Sequence, residues 1–258
     1  MKKRIINISV VSISILLIAV GAFIIAYPNL VKQNDKIKTD QIIENYNKEI
    51  TTTEPQKHKK ADNKEVSIKN INSKNENNHK PKKLNLKQLK KDIKAYNKKI
   101  YDNNQQYFNN KTMAVEPLNL MKYGFSNKVY GYLTIPKINL QMPIYLGCSD
   151  YNMSIGAAQL GQTSIPYGGV NTNSVIAGHC GYGYKDYFRY IEKLRPGDKV
   201  QIKTPFNKLN YTVTKRKILK PKMGNQLLIR EDKDMITLFT CYPYPTNKYR
   251  CCIFCERS

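Results

Sequence analysis

Three residues in the second half of the chain are of the types that could break and remake an acyl bond: a cysteine as nucleophile, a histidine to carry the proton, and an arginine as a fixed positive charge. His179 stands in SVIAGHCGYG, directly after an apolar run and between glycines, where a scaffold hands a side chain to a surface cleft. Taken alone, a histidine at a strand end is more often structural. The other two histidines, His58 and His79, lie in a Lys/Asn-rich stretch with nothing to hold them in a fixed geometry. Cys241 ends the run DMITLFTC just before Tyr242 and Pro243, so its thiol belongs at a rim. Alternation sets Thr237, Phe239 and Cys241 on one face of that run, and Ile236, Leu238 and Thr240 on the other. The chain then turns through Pro245, Thr246 and Asn247 and returns along Tyr249, Arg250 and Cys251. An adjacent returning strand would bring the guanidinium of Arg250 near the Cys241 thiol.

Six cysteines are present, and in an exported domain an even number invites disulfides. Cys251 and Cys252 are chain neighbours on opposite strand faces, whereas Cys251, Ile253 and Cys255 share one apolar face and read as small core residues. Cys251, Cys252 and Cys255 lack the paired CxxC spacing or accompanying histidines of a zinc site. Cys148 and Cys180 carry no assignment. Glu231, Asp232 and Asp234 form a short acidic group, read as solvated acids because no oxygen-rich loop of a calcium-binding type surrounds them. There is no GxGxxG after a strand and no GxxxxGKS/T, so no nucleotide or redox cofactor and no required metal are expected.

The elements that position these residues are short. Runs at Val129 to Ile135, Met142 to Tyr145, Asn173 to Ala177, Lys199 to Lys203, Leu209 to Leu219, Met235 to Thr240 and Tyr249 to Phe254 are apolar, β-branched or aromatic, and are separated by Gly, Pro and Asn. They predict an all-β domain over residues 111–258, either a closed barrel or a sandwich. Short helical insertions are expected at Tyr151 to Gln159 and near Tyr187 to Leu194. Ahead of this domain, Leu86, Leu89, Ile93, Tyr96 and Ile100 recur at helical spacing among lysines, which predicts an amphipathic helix within 84–110. It would pack on the following domain or, alternatively, lie on a membrane surface.

Residues 28–83 hold many Lys and Asn and few large apolar side chains, and are expected to be a disordered spacer. The 22 residues from Ile5 to Ala26 carry no charge and follow Lys2, Lys3 and Arg4. A helix of that length crosses about 30 Å of hydrocarbon. The run passes the length at which a signal peptide's apolar region stops, so residues 5–27 are expected to be an uncleaved transmembrane anchor. Residues 1–4 would then be cytoplasmic and everything beyond extracytoplasmic. The net charge of +24 is spread evenly over both halves, and no RNA- or DNA-binding motif accompanies it. Nucleic acid is therefore not expected as a partner; anionic lipid and wall polymers are.

TLFTC at Thr237 to Cys241, a histidine after a strand some sixty residues earlier, and an arginine nine residues after the cysteine together resemble the sortases, membrane-anchored cysteine transpeptidases of Gram-positive bacteria. The likeness runs from Val129 to Phe254. GYLTIPKINLQMPIYLG, GAAQLGQTSIPYGG and the CYPY turn are most similar to class C, the pilin-polymerising group. The Asp-Pro-aromatic lid motif usual in that class does not stand before Val129, where the nearest segment is Val115-Glu116-Pro117-Leu118, and Cys180 occupies a position often held there by Arg. The resemblance implies an eight-stranded β-barrel in which Cys241 is the nucleophile that forms a thioacyl intermediate. It implies His179 as general acid/base and Arg250 as oxyanion stabiliser or substrate-positioning group. The implied donors are surface proteins or pilins bearing an LPxTG-like sorting signal; the implied acceptor is an amine, a pilin lysine or a peptidoglycan precursor. The same residues would equally serve a cysteine hydrolase, and a non-catalytic membrane-tethered binding barrel is the third reading. Peptide specificity is expected in the connection from Lys220 to Asp234.

Overall fold

The computed structural model describes residues 2–52, 83–106, 109, 111–221 and 224–258. Eight strands close into a barrel: β1 (Val129–Ile135), β2 (Leu140–Leu146), β3 (Ala157–Gln159), β4 (Thr172–Ala177), β5 (Lys199–Lys203), β6 (Lys208–Leu219), β7 (Asp234–Tyr242) and β8 (Tyr249–Arg257). Around the barrel they run β1-β2-β3-β4-β7-β8-β6-β5, with β5 returning to β1. Most neighbours are antiparallel, but β2 with β3 and β4 with β7 are parallel. The β4–β7 pairing has a functional consequence, because both strands end at the same rim.

Alternation along each strand sends one set of side chains inward. Leu133, Ile144, Ile176, Val200, Ile236, Leu238 and Ile253 meet inside the barrel with no exposed surface. Cys251 and Cys255 join them, as small residues on the inner face of β8. Each large aliphatic side chain buried in this way contributes about 1.5–3 kcal/mol. Gly131 sits where β5 presses against β1: a Cβ there would overlap the Lys203 carbonyl.

Both expected insertions differ from their sequence reading. The helix α3 stops at Ile155 (Asp150–Ile155), and Ala157–Gln159 form β3, fully buried between β2 and β4. A three-residue Ala-Ala-Gln strand has neither β-branched residues nor enough length to show a period of two, and its pairing is set by its neighbours. The segment Tyr187 to Leu194 contains a single 3₁₀ turn, Ile191–Lys193.

The N-terminal region departs further. The helix α1 (Lys2–Thr51) continues well beyond the apolar run, so the spacer expected from residue 28 is helical through Thr51; residues 53–82 lie outside the described residues. Ile43, Tyr46 and Ile50 fall at helical spacing and are buried against the barrel. The Tyr46 hydroxyl donates to the Tyr130 carbonyl at 3.1 Å, and the Ser126 amide donates to Glu49 at 2.6 Å. Three apolar residues among many polar ones are enough for a docking stripe, and composition averaged over the segment conceals them. The helix α2 (Leu86–Asp102), capped by Asn85, also packs on the barrel through Leu89, Ile93 and Ile100. Its Asn97 side chain both donates to and accepts from the Ile165 backbone, at 3.0 and 2.8 Å. Among the described residues α1 alone is long and apolar enough to cross a membrane, and none of its apolar window is buried.

Candidate functional site

The three residues nominated by their chemistry come together at one rim of the barrel. Cys241 and Arg250 are direct cross-strand partners in the antiparallel β7–β8 pair. In such a pair the Cβ atoms stand about 4.5–5.5 Å apart. His179 arrives from the other side of β7. Ala177, the last residue of β4, is the parallel partner of Phe239. The Gly178 amide then donates to the Phe239 carbonyl at 3.1 Å, and the Thr240 hydroxyl donates to the Gly178 carbonyl at 2.7 Å. These two bonds carry the pairing one residue past the strand end, and His179 follows alongside Cys241. β7 is thus central, with the histidine on one flank and the arginine on the other.

The two threonines of TLFTC have identifiable tasks that sequence reasoning did not supply. Both side chains are buried. Thr240 fastens β7 to the residue before His179. Thr237 donates to Asn173 Oδ1 at 3.0 Å, and the Asn173 amide donates in turn to the Leu227 carbonyl at 2.9 Å. The signature thereby ties β7 both to the histidine loop and to the 3₁₀ turn Gly224–Leu227.

The imidazole of His179 is held between aromatic rings. Tyr182 stacks on it with centroids 5.2 Å apart, and Tyr187 meets it edge-on at 6.2 Å. Its backbone carbonyl accepts from the Phe188 amide at 2.9 Å. The Phe188 ring in turn lies where a Cβ on Gly178 would be, with ring atoms from 2.6 Å. Burial disfavours the imidazolium and lowers the His179 pKa below 6.5, with the Asp150 carboxylate opposing it more weakly. The neutral ring, able to accept a proton, therefore persists to lower pH than in free histidine. The aromatic neighbours carried no signal in the sequence beyond the abundance of tyrosine around His179.

Arg250 is oriented by its own turn: Nη1 donates to the Asn247 and Tyr249 carbonyls, each at 2.9 Å. Opposite, Arg189 lies over the ring of Tyr244, 4.1 Å from its centroid, so the loop after His179 touches the loop after Cys241. Beside Arg250 opens a cavity of ≈ 360 Å³ walled by Phe239, Leu219, Lys220, Leu227, Met113 and Cys148. Leu219 ends β6, and Lys220 and Leu227 lie in the connection from β6 to β7.

All six cysteines are free thiols. Burial pushes Cys148 up to about 11 and Cys251 and Cys252 up to about 12, and raises Cys255 further. Cys180 is raised as well, by burial and then by the neighbouring Cys241 thiol. Such thiols remain protonated at neutral pH and are poor nucleophiles. Cys241 differs in place: it is half-buried, at a strand end beside the histidine and the arginine. Of the acidic group, Asp234 accepts from the Gly169 amide and the Tyr211 hydroxyl. Among the described residues no three His, Cys, Asp or Glu side chains gather as metal ligands would.

A sortase-domain family profile matches residues 133–258. An X-ray structure of Clostridium perfringens sortase C with the C-terminal cell wall sorting motif is 34% identical, covers 67% of this chain and 89% of its own, and has a TM-score of 0.57. A pilus-related sortase C of group B Streptococcus is 29% identical, covers 68% and 92%, and has a TM-score of 0.58. Sortase D of Bacillus subtilis is 27% identical over 114 residues, 44% of this chain and 54% of that protein. The chain spans about half the length of the curated relatives it matches. A closed eight-stranded barrel with cysteine, histidine and arginine on three adjacent strand ends, matched over most of its length by sortase C structures, places this chain in the sortase family.

Proposed function

We propose that the protein is a membrane-anchored cysteine transpeptidase that cleaves an LPxTG-like sorting signal of surface proteins and joins the threonine carboxyl to an amine. The observation that carries this reading is the register of β7: Cys241 pairs with Arg250 on one side and follows His179's approach on the other. Neutral His179 takes the proton of the Cys241 thiol, and the thiolate attacks the threonine carbonyl carbon. The guanidinium of Arg250 faces the negative charge that builds on the carbonyl oxygen. Collapse of the tetrahedral species expels the glycine amine, which leaves with the proton from His179, and a thioester remains on Cys241. An acceptor amine then attacks the thioester and gives its proton to His179. The new amide leaves, and the sulfur recovers the proton.

The cavity beside Arg250 supports the peptide assignment, since its mostly apolar walls, with Lys220 and Arg250 as the charged members, suit an extended, largely apolar sorting sequence. Likeness to a pilus-related sortase C favours a lysine of a pilin-type subunit as the acceptor over a peptidoglycan precursor. The apolar part of α1 is read as the anchor, with Lys2, Lys3 and Arg4 cytoplasmic and the barrel outside.

The test is intact-mass analysis of the full chain in detergent with an LPxTG-like peptide, with and without an added amine. A thioacyl adduct that converts to an amide with amine is the expected result. An adduct that turns over to the free acid at the same rate with and without amine would show a hydrolase instead.

A further inference from the structure

The loop between His179 and Ile191 is in contact with two things at once: the imidazole, and the part of α1 that emerges from the apolar run. Tyr184 meets Tyr27 edge-on at 5.5 Å. Lys185 pairs with Asp35 at 2.5 Å, and Lys32 pairs with Asp186 at 3.1 Å. The two pairs have opposite polarity along α1, cation then anion, facing anion and cation on the loop, so they set a register and not merely an attraction. Tyr27 stands at the end of the apolar run, and Asp35 is eight residues farther on. At the helical rise this is about 12 Å.

These contacts continue to the site. The Lys185 ammonium lies 5.6 Å from the centre of the Tyr187 ring, and the Tyr187 ring is the edge-on neighbour of His179. Reciprocal backbone hydrogen bonds between Tyr182 and Lys185, both 3.0 Å, fold the tight hairpin whose first residue stacks on the imidazole. Asp186 also faces Arg189 at 3.4 Å, and Arg189 lies over Tyr244 in the loop that follows Cys241. Partly shielded ion pairs that act together, each oriented by a second contact, hold a loop better than isolated surface pairs, whose contribution is about 0–1 kcal/mol.

We propose that the turns of α1 from Tyr27 to Asp35 are a positioning element of the site: they dock the loop that carries His179 and hold the reactive rim of the barrel at the membrane surface. The proposal rests on reading α1 as the anchor and His179 as the acid/base, and goes beyond both, since it makes the anchor part of the machinery that orients the histidine. Tyr184, exposed beside Tyr27, would then lie at headgroup depth, where amphipathic aromatic rings are favoured.

The test uses the full chain in lipid nanodiscs. Asp35→Lys and Lys185→Asp, singly and combined, are compared for the rate of thioacyl formation and for hydrogen exchange of amides 180–189. Each single variant should speed exchange in the loop and slow acylation about tenfold with KM little changed, inside the ~10²-fold range that a misplacement of about 1 Å can cause. The combined charge reversal should restore the exchange protection and most of the acylation rate, short of the part carried by the Lys185 ammonium against the Tyr187 ring, which a general loss of fold would not allow. Faster exchange with unchanged acylation would overturn the positioning role, and unchanged exchange would overturn the dock. If the wild-type chain forms no adduct, the proposed function fails, while exchange still decides the dock. The chain has no tryptophan, so Tyr184→Trp supplies a single tryptophan that can be excited apart from the tyrosines. Quenching by lipids brominated near the headgroup is expected, and emission indifferent to those lipids would contradict the placement of the rim at the membrane.

Discussion

Thr240 and Arg250 show how single residues set the chemistry. The Thr240 hydroxyl is spent on the Gly178 carbonyl, so Thr240→Val leaves a buried acceptor without its donor and frees the residue before His179. A loss of about 1–3 kcal/mol in stability is expected from denaturant unfolding. The fall in acylation rate should exceed the change in KM. Arg250 holds its place through two carbonyl contacts from one nitrogen, which leaves the rest of its planar fork for an oxyanion or peptide. A lysine cannot do both, so Arg250→Lys should keep the charge yet lose ~10²-fold in acylation, measured by single-turnover mass analysis. His179 titrates below 6.5 because it is desolvated, and NMR of the folded chain should show this. Removing the stacked ring with Tyr182→Ala admits water and should move the titration up toward 6.5. The sign for folding follows: the unfolded chain binds this proton more readily than the native state. The contribution of His179 to stability is therefore full above 6.5 and is lost as pH falls through its folded value.

At the scale of elements, most strands were legible because each is a short apolar run bounded by Gly, Pro or Asn. β1 and β5 coincide with their sequence boundaries, and β7 and β8 extend theirs by a few residues. The meeting of Cys241 with Arg250 was also legible, because a short turn between two strands nearly fixes the pairing. β3 was not, since nothing in Ala-Ala-Gln distinguishes a strand from the end of a helix. The approach of His179 to β7 could not be read from spacing at all: β4 and β7 are parallel and sixty residues apart, and only the family resemblance linked them. The ring of Phe188 packed under Gly178 belongs to the same class of long-range fact. Gly178→Ala should displace that ring and cost about 1–3 kcal/mol, with thermal unfolding as the measurement.

For the whole molecule, composition misjudged the region between the apolar run and the barrel. A segment rich in lysine and asparagine reads as solvated, yet Ile43, Tyr46 and Ile50 lay one stripe of α1 against the barrel, and Tyr46 is completely buried. Tyr46→Phe removes only the bond to the Tyr130 carbonyl and should lower stability by about 1 kcal/mol. Tyr46→Ala also empties a large buried site and should lower it by about 3–5 kcal/mol. Both are readable by denaturant unfolding of the full chain in detergent. With α1 packed on the barrel at one end and carrying the proposed anchor at the other, the barrel would be held close to the membrane and not on a long tether.

Chemistry at the junction of β4, β7 and β8 requires the acyl group to sit on Cys241, and its position can be located in the full chain. The full chain, incubated with an LPxTG-like peptide and quenched in acid, is digested and mapped by mass spectrometry. A single thioester on Cys241, absent from Cys241→Ala and strongly reduced in His179→Ala and Arg250→Ala, is the predicted result. An adduct on Cys148, the thiol that lines the cavity beside Arg250, or undiminished acylation in Cys241→Ala, would contradict it.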